Sequence, residues 1–241
     1  MKSGYQTDLA YIHDAGFTDF MRKSAPALLS ILRRSQIKHG LVVDLGCGSG
    51  VWAEQLVAHG YQVLGIEISP AMLRIARQRA PRARFINASL FRARLPACAA
   101  VTAIGECLNY AFDRSGGKRL DDLFRRIYKA LDSGGVFIFD VAEPGRVGPT
   151  PVQSFFQGKD WAILVRNEED TKRKLLSRRM TIFRRMGRTF RRSEEVHKQN
   201  LLEPSRVKHA LKILGFKVTN LLRYGTHRLG TGRSIFIARK P

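Results

Sequence analysis

The stretch Leu41-Val42-Val43-Asp44-Leu45-Gly46-Cys47-Gly48-Ser49-Gly50, followed by Val63-Leu64-Gly65-Ile66-Glu67, decides the fold. Leu41 to Leu45 is a short apolar, partly β-branched run suited to a buried parallel strand, and Gly46, Gly48 and Gly50 break it sharply. Glycine serves such a turn because it takes positive φ cheaply and has no Cβ to hold a ligand away from the backbone. Val51, Trp52, Ala53, Leu56 and Val57 then recur at helical spacing, with Gly60 as a stop. A strand, a glycine turn, a helix and a second strand ended by a carboxylate form the unit with which a doubly wound sheet holds an adenosine-bearing ligand over its carboxyl edge.

The glycines are spaced G-x-G-x-G, and Val51 stands where the last glycine of a dinucleotide fingerprint would fall. Asp44 lies just before the turn, where it repels a pyrophosphate but suits a ligand carrying an ammonium or sulfonium charge. On these residues the chain resembles the class I S-adenosylmethionine-dependent methyltransferase family, with Val42 to Gly50 matching its first motif and Gly65 to Ser69 its second. The resemblance implies S-adenosylmethionine as cofactor, held by Asp44, Gly46, Gly48 and Gly50, with Glu67 accepting hydrogen bonds from the ribose hydroxyls. Ser69-Pro70 opens the next helix as N-cap and first helical residue, and the family pattern puts Met72 near the adenine. Arg84 to Leu90 reads as the third strand and its exit loop. Family members often carry Gly-Asp where Ala88-Ser89 stand, so Ser89, beside Leu90, offers the adenine an uncharged acceptor instead of a carboxylate.

The resemblance also implies the architecture: a Rossmann-like, doubly wound, mostly parallel seven-stranded α/β sheet with an antiparallel C-terminal strand. Ala99 to Ile104 is the fourth strand, Gly117 to Leu131 a helix, Gly134-Gly135 its stop, and Val136 to Asp140 the fifth strand. Ala142 to Pro151 is a Pro/Gly loop. The period then changes to two, and Trp161 to Glu168, Leu175 to Met186 and Thr189 to His197 read as three antiparallel strands joined by turns at Glu169-Asp170 and Met186-Gly187. Pro204 to Leu214 returns to helix, and Lys217 to Tyr224 and Arg233 to Arg239 supply the last two strands. The whole, 1–241, is expected to be one domain, with an N-terminal helical cap over 1–36 and an inserted β lid over 152–200.

Composition agrees with an enzyme of this kind. At 241 residues, 44% of them apolar, the chain can bury one such core. Cys47, Cys98 and Cys107 form neither a paired framework nor a C-x-x-C site, which argues for a reducing compartment and against structural zinc; no metal is expected. Met1 to Asp8 has no apolar core for a signal peptide and no apolar run reaches the length of a membrane span, so the expected location is the cytoplasm, with no membrane partner. Formal net charge is +22, which raises nucleic acid as a partner. The basic residues are scattered except from Arg166 to Arg192, and no recognised RNA-binding module flanks the core. RNA methylation through this arginine-rich lid is therefore the alternative reading, and a non-catalytic cofactor-binding module a second.

The strand end beside the first strand faces the reactive end of the ligand in such a sheet, which makes Glu106, Asn109 and Tyr110 candidates for lining the transfer site. In the lid, Arg191, Glu195 and His197 share one strand face, and a carboxylate beside an imidazole orients it as a base. Tyr5, Tyr11, His13 and Phe17 are the N-terminal candidates for shaping an acceptor site. Cys107 reads as a small buried residue rather than a nucleophile. The expected reaction is methyl transfer to an N, O or C atom of a small metabolite, with Glu106, Tyr110 or His197 positioning or deprotonating the acceptor. The acceptor's identity and the oligomeric state are not legible in the residues.

Overall fold

In the computed structural model, residues 4–112 and 118–241 are described. Helices α1 (Thr7–Gly16) and α2 (Asp19–Arg34) come first, then the alternating core: β1 (Leu41–Leu45), α3 (Val51–Ala58), β2 (Gln62–Glu67), α4 (Pro70–Arg79), β3 (Arg84–Asn87) and β4 (Cys98–Ala103). A short 3₁₀ turn over Cys107–Asn109 leads on to α5 (Lys118–Ala130) and β5 (Leu131–Ala142). The helix expected from Gly117 begins at Lys118; Gly117 itself lies outside the described residues. Four strands follow, β6 (Val152–Gln157), β7 (Trp161–Asp170), β8 (Leu175–Met186) and β9 (Thr189–Asn200), then α6 (Pro204–Ile213) and β10 (Lys217–Leu221). The chain closes through a small hairpin of β11 (Arg223–Tyr224) and β12 (His227–Arg228) and the strand β13 (Arg233–Arg239).

The main sheet has seven strands in the order β10-β13-β5-β4-β1-β2-β3. β1 pairs in parallel with β2 and β4, and β13 runs antiparallel to both β5 and β10. Central strands buried on both faces need apolar residues at successive positions, which is why Val42 to Leu45 and Val136 to Ala142 read as nearly unbroken apolar runs. One sheet face packs on α5 and α6 through Phe124, Phe137, Phe139 and Phe236, and the other on α2 and α3 through Leu28, Leu32, Trp52 and Leu56. All eight of these side chains are at most 2% exposed, and at roughly 1.5–3 kcal/mol for each buried large side chain they dominate the driving force.

The second sheet is four antiparallel strands in the order β6-β7-β8-β9, one more than the alternation in the sequence indicates. The added strand, Val152–Gln157, follows directly on the Pro/Gly loop and exposes Phe155 on the outer face, so its apolar pattern is broken. The first turn also lies beyond the expected Glu169-Asp170: both residues stay in the ladder, opposite Leu176 and Leu175, and the chain reverses over 171–174. Asp170 Oδ1 accepts from the Arg173 backbone N–H at 2.9 Å, closing that reversal. The inner face of this sheet, with Trp161, Ile163, Met180 and Ile182, packs on Leu9 and Ile12 of α1. The four-stranded sheet meets the main sheet both through the N-terminal helix and directly, where Leu176 of β8 and Ala142 of β5 share a buried apolar cluster. Among the described residues no helix is long and apolar enough to cross a membrane.

Candidate active site

At the carboxyl edge of β1 the three glycines adopt φ of +71°, +54° and +79° in order, each in the left-handed region that strains other residues. They do different work. A Cβ on Gly46 would lie 2.7 Å from Cys107 Sγ, and one on Gly50 2.9 Å from the Cα of Ala76 in α4, so these two allow close packing. Gly48 has nothing within 4 Å of that position and keeps its turn open towards a cavity. The Gly46 N–H donates to Ile66 O at 2.7 Å, tying the turn to the end of β2.

Two buried carboxylates face the same cavity. Asp44 is 3% exposed and accepts from Thr102 Oγ1 at 2.8 Å, and Thr102 in turn accepts from Trp52 Nε1 at 3.3 Å. Burial raises the Asp44 pKa to about 7, against the Thr102 bond and with the help of the Glu67 charge. Glu67 accepts from the backbone N–H of Ser69 at 2.8 Å and of Gly48 at 3.1 Å; burial pushes its pKa up in spite of these bonds. Ser69 caps α4 by accepting from the Met72 N–H at 3.1 Å. Met72, Ser89 and Leu90 line the adjoining wall, and Ser89 Oγ accepts from the Phe91 N–H at 3.2 Å. Gly50 does not touch the cavity, contrary to expectation; its place is against α4.

The cavity measures about 1120 Å³ including its open mouth, and its other end is aromatic. Tyr5, His13 and Phe17 come from the N-terminal segment and α1, Phe20 from α2, and Tyr110 and Phe112 from the chain after β4. The Tyr5 and Tyr110 hydroxyls lie 2.9 Å apart, and burial raises both pKa values. Burial lowers the His13 pKa to about 4, and His13 Nδ1 is buried with no partner among the described residues. Tyr11, also a sequence candidate, faces outward, bonded to Asp160 and under the Arg184 guanidinium.

Glu106, Asn109, Arg191, Glu195 and His197, also sequence candidates, do not line the cavity. Glu106 has a left-handed backbone, φ +61°, which turns its carboxylate behind the wall; there Arg146 Nε lies 3.4 Å away, Gln199 Nε2 donates at 3.1 Å, and Arg233 forms a further ion pair. These cations hold its pKa below the usual carboxylate range against the opposing effect of burial. Asn109 is a buried clasp, donating to Ala142 O at 2.8 Å and Asn200 O at 2.6 Å and accepting from the Ala142 N–H at 2.9 Å. His197 lies behind Tyr5 and Phe112, with ring centroids 4.8 and 5.0 Å away. Its Nε2 sits 2.9 Å from Glu195 Oε2 in a pair that is buried, not at the surface. Glu195 also accepts from the Tyr5 and Gln6 backbone N–H groups at 2.8 and 2.9 Å, while Arg191 on the same strand face bonds Asp8.

The sequence model of a methyltransferase domain matches residues 42–135, which span the glycine turn, both carboxylates and β4. The chain is 26% identical to a Geobacillus sp. (strain WCH70) protein whose name gives methyltransferase and no acceptor, over 83% of this chain and 84% of that one. The chain thus carries the methyltransferase-domain pattern over residues 42–135 and is similar along most of its length to proteins named as methyltransferases. A trans-aconitate 2-methyltransferase of Paracidovorax citrulli is 34% identical over 53% of this chain and 47% of its own. In fold, the chain superimposes on a sugar N-methyltransferase from Streptoalloteichus with a TM-score of 0.78, at 20% identity over 100% of this chain and 94% of that one.

Several residues that shape the candidate site escape a sequence reading. Asp140 accepts from the N–H groups of Gly105 and Glu106 at 3.0 and 2.5 Å and from Tyr224 Oη at 2.9 Å. Burial raises its pKa to about 6, and these bonds oppose the rise. Its signal was a lone carboxylate inside the apolar run Val136 to Ala142. Arg79 donates to Asp14 at 2.6 Å and to Ser49 O at 2.7 Å, pinning the glycine turn to α1. Arg178, on the inner face of β8, gave no signal within a charge run.

Proposed function

We propose that this methyltransferase acts on an N, O or C atom of a small metabolite, bound at the aromatic end of the cavity. The observation that carries the reading is the continuity of that cavity from Gly48, Asp44 and Glu67 to Tyr5, His13 and Tyr110. Two carboxylates buried beside an open glycine backbone fit a ligand with ribose hydroxyls and a positive charge: a cation near Asp44 offsets the burial that raises its pKa. In this reading Asp44 and Glu67 hold the charged and ribose parts of the cofactor, Gly46 and Gly48 allow its close approach, and Met72, Ser89 and Leu90 flank the adenine. Gly50 sets the turn from behind. The cofactor supplies a methyl group already activated on a sulfonium sulfur.

The protein's own task is then alignment and exclusion of water. Phe17, Phe20 and Phe112 supply dry walls. Tyr110, with Tyr5, presents hydroxyls to the acceptor, and the neutral His13 imidazole offers an unpaired nitrogen that can orient an acceptor N–H or O–H. Glu106 and His197 act from behind the wall, as positioning residues for the loop after β4 and for Tyr5. Isothermal titration with S-adenosylhomocysteine, followed by a screen of small metabolites with methyl-labelled cofactor, tests the reading. Absence of cofactor binding, or labelling of RNA alone, overturns it.

A further inference from the structure

We infer that the methyl acceptor carries a carboxylate, held at the aromatic end of the cavity by the Tyr5–Tyr110 hydroxyl pair with the Arg178 guanidinium behind it. The inference rests on the small-metabolite reading above and narrows it to a substrate class.

Arg178 lies in the middle of β8, opposite Asn167 on β7 and His197 on β9, and so points to the inner face of the lid. Its Nε donates to Asn167 Oδ1 at 3.0 Å, and its cross-strand neighbour His197 packs on the Tyr5 and Tyr110 rings at centroid distances of 4.8 and 5.8 Å, which brings the Arg178 charge close to both phenols. The carboxylate facing it is Glu106, and that group already takes Arg146, Arg233 and Gln199. Arg146 and Arg233 take the Glu106 carboxylate, and the other carboxylates of the region are engaged, Asp140 on the Gly105 and Glu106 amides and Glu195 on Tyr5 and His197, so Arg178 forms no direct ion pair among the described residues. Burying an unpaired guanidinium is costly, and an anion on the cavity side of the phenols relieves that cost. One of the two hydroxyls, 2.9 Å apart, donates to the other, which leaves the pair one proton to donate to a carboxylate oxygen, and the positive charge behind the pair strengthens that bond.

The sign of charge reverses along the cavity. Asp44 and Glu67 at one end match the positive charge and hydroxyls of the cofactor, and at the other end Arg178, behind the phenols that line the cavity, disfavours an ammonium group. An acceptor anchored by its carboxylate at the far end is thereby oriented with its nucleophilic atom towards the sulfonium methyl.

The test uses the full chain loaded with S-adenosylhomocysteine. Trans-aconitate and other small di- and tricarboxylic acids, phosphate monoesters and amino sugars are compared by thermal shift and by transfer from methyl-labelled cofactor. Carboxylic acids are expected to raise the melting temperature and to be labelled. Arg178→Gln should weaken the acceptor about 10-fold or more, leave the S-adenosylhomocysteine Kd within about twofold, and be partly rescued by Arg178→Lys. A response to amino sugars or phosphate monoesters alone overturns the carboxylate assignment, as does an Arg178→Gln loss of cofactor affinity equal to the loss of acceptor affinity. If the wild-type chain fails to bind S-adenosylhomocysteine, the methyltransferase site itself is misread and the inference falls with it.

Discussion

At the residue scale the glycine turn and Asp44 make separable predictions. Gly48 faces open space and Gly50 abuts Ala76, so Gly48→Val should weaken S-adenosylhomocysteine at least about 10-fold, whereas Gly50→Ala should mainly lower the melting temperature. Titration and thermal melting of both variants check this; equal effects on both properties in both variants would refute the division of labour. Asp44 is a group whose pKa rises on folding, to about 7 from about 3.8. Its contribution to stability is therefore fully present below pH 4 and lost as pH rises through 7, at roughly 1.4 kcal/mol per unit of difference. Without cofactor the melting temperature should fall between about pH 4 and pH 7, and Asp44→Asn should flatten that fall while weakening the cofactor. Some slope should remain, because Asp140 shifts in the same direction, to about 6. An unchanged slope in Asp44→Asn would show that the carboxylate already has a compensating partner.

At the scale of elements, the unit β1-turn-α3-β2 was legible because everything that specifies it is local: an apolar run, three glycines, a 3.6-residue period and a terminal Glu67. What was not legible depends on distant pairing or on a single backbone angle. β6 exists because β7 offers it an edge, with Phe156 reaching Phe17 of the N-terminal segment at 5.1 Å. Glu106 leaves the cavity because its φ is positive, and a loop sequence does not declare that. The turn that carries Gly105 and Glu106 is held by Asp140, and Tyr224 from the C-terminal hairpin completes the Asp140 shell. Tyr224→Phe removes one charge-assisted bond and should cost about 1.5–3 kcal/mol, a fall of several degrees in melting temperature. Turnover should drop with it, since Gly105 lines the cavity; unaltered melting and turnover would dissociate the hairpin from the site. The N-terminal segment is strapped in the same way, with Tyr5 O accepting from Ser69 Oγ of the core at 2.7 Å and Glu195 of the lid gripping Tyr5 and Gln6. Glu195→Gln keeps the shape and loses the charge, so hydrogen exchange at the Tyr5 and Gln6 amides should accelerate; protection equal to wild type would show that the strap does not depend on the carboxylate.

For the whole molecule the question is what a net charge of +22 does. Read along the chain, Arg166 to Arg192 is one basic patch. Strand alternation splits it. Arg178, Arg184 and Arg191 share the inner face and are engaged, on Asn167, on Asp160 and on Asp8 respectively. Arg166, Arg179 and Arg192 share the outer face, where Arg166 and Arg192 pair with Glu168 and Glu194 and the apolar Phe155 and Leu164 lie between them. An RNA footprint needs an uninterrupted row of unpaired cations at backbone spacing, and this face alternates charge with apolar surface. The aromatic end of the cavity, by contrast, is walled by the N-terminal segment, α1, α2 and the chain after β4, away from that face, and the proposed small acceptor binds there. Turnover of a small acceptor should therefore change by no more than about twofold between roughly 50 and 200 mM salt, and total RNA should be retarded weakly and only at the lower salt. A steep loss of activity across that range, with RNA binding of the same slope, would transfer the positive charge from solubility to substrate recognition and displace the small-metabolite reading.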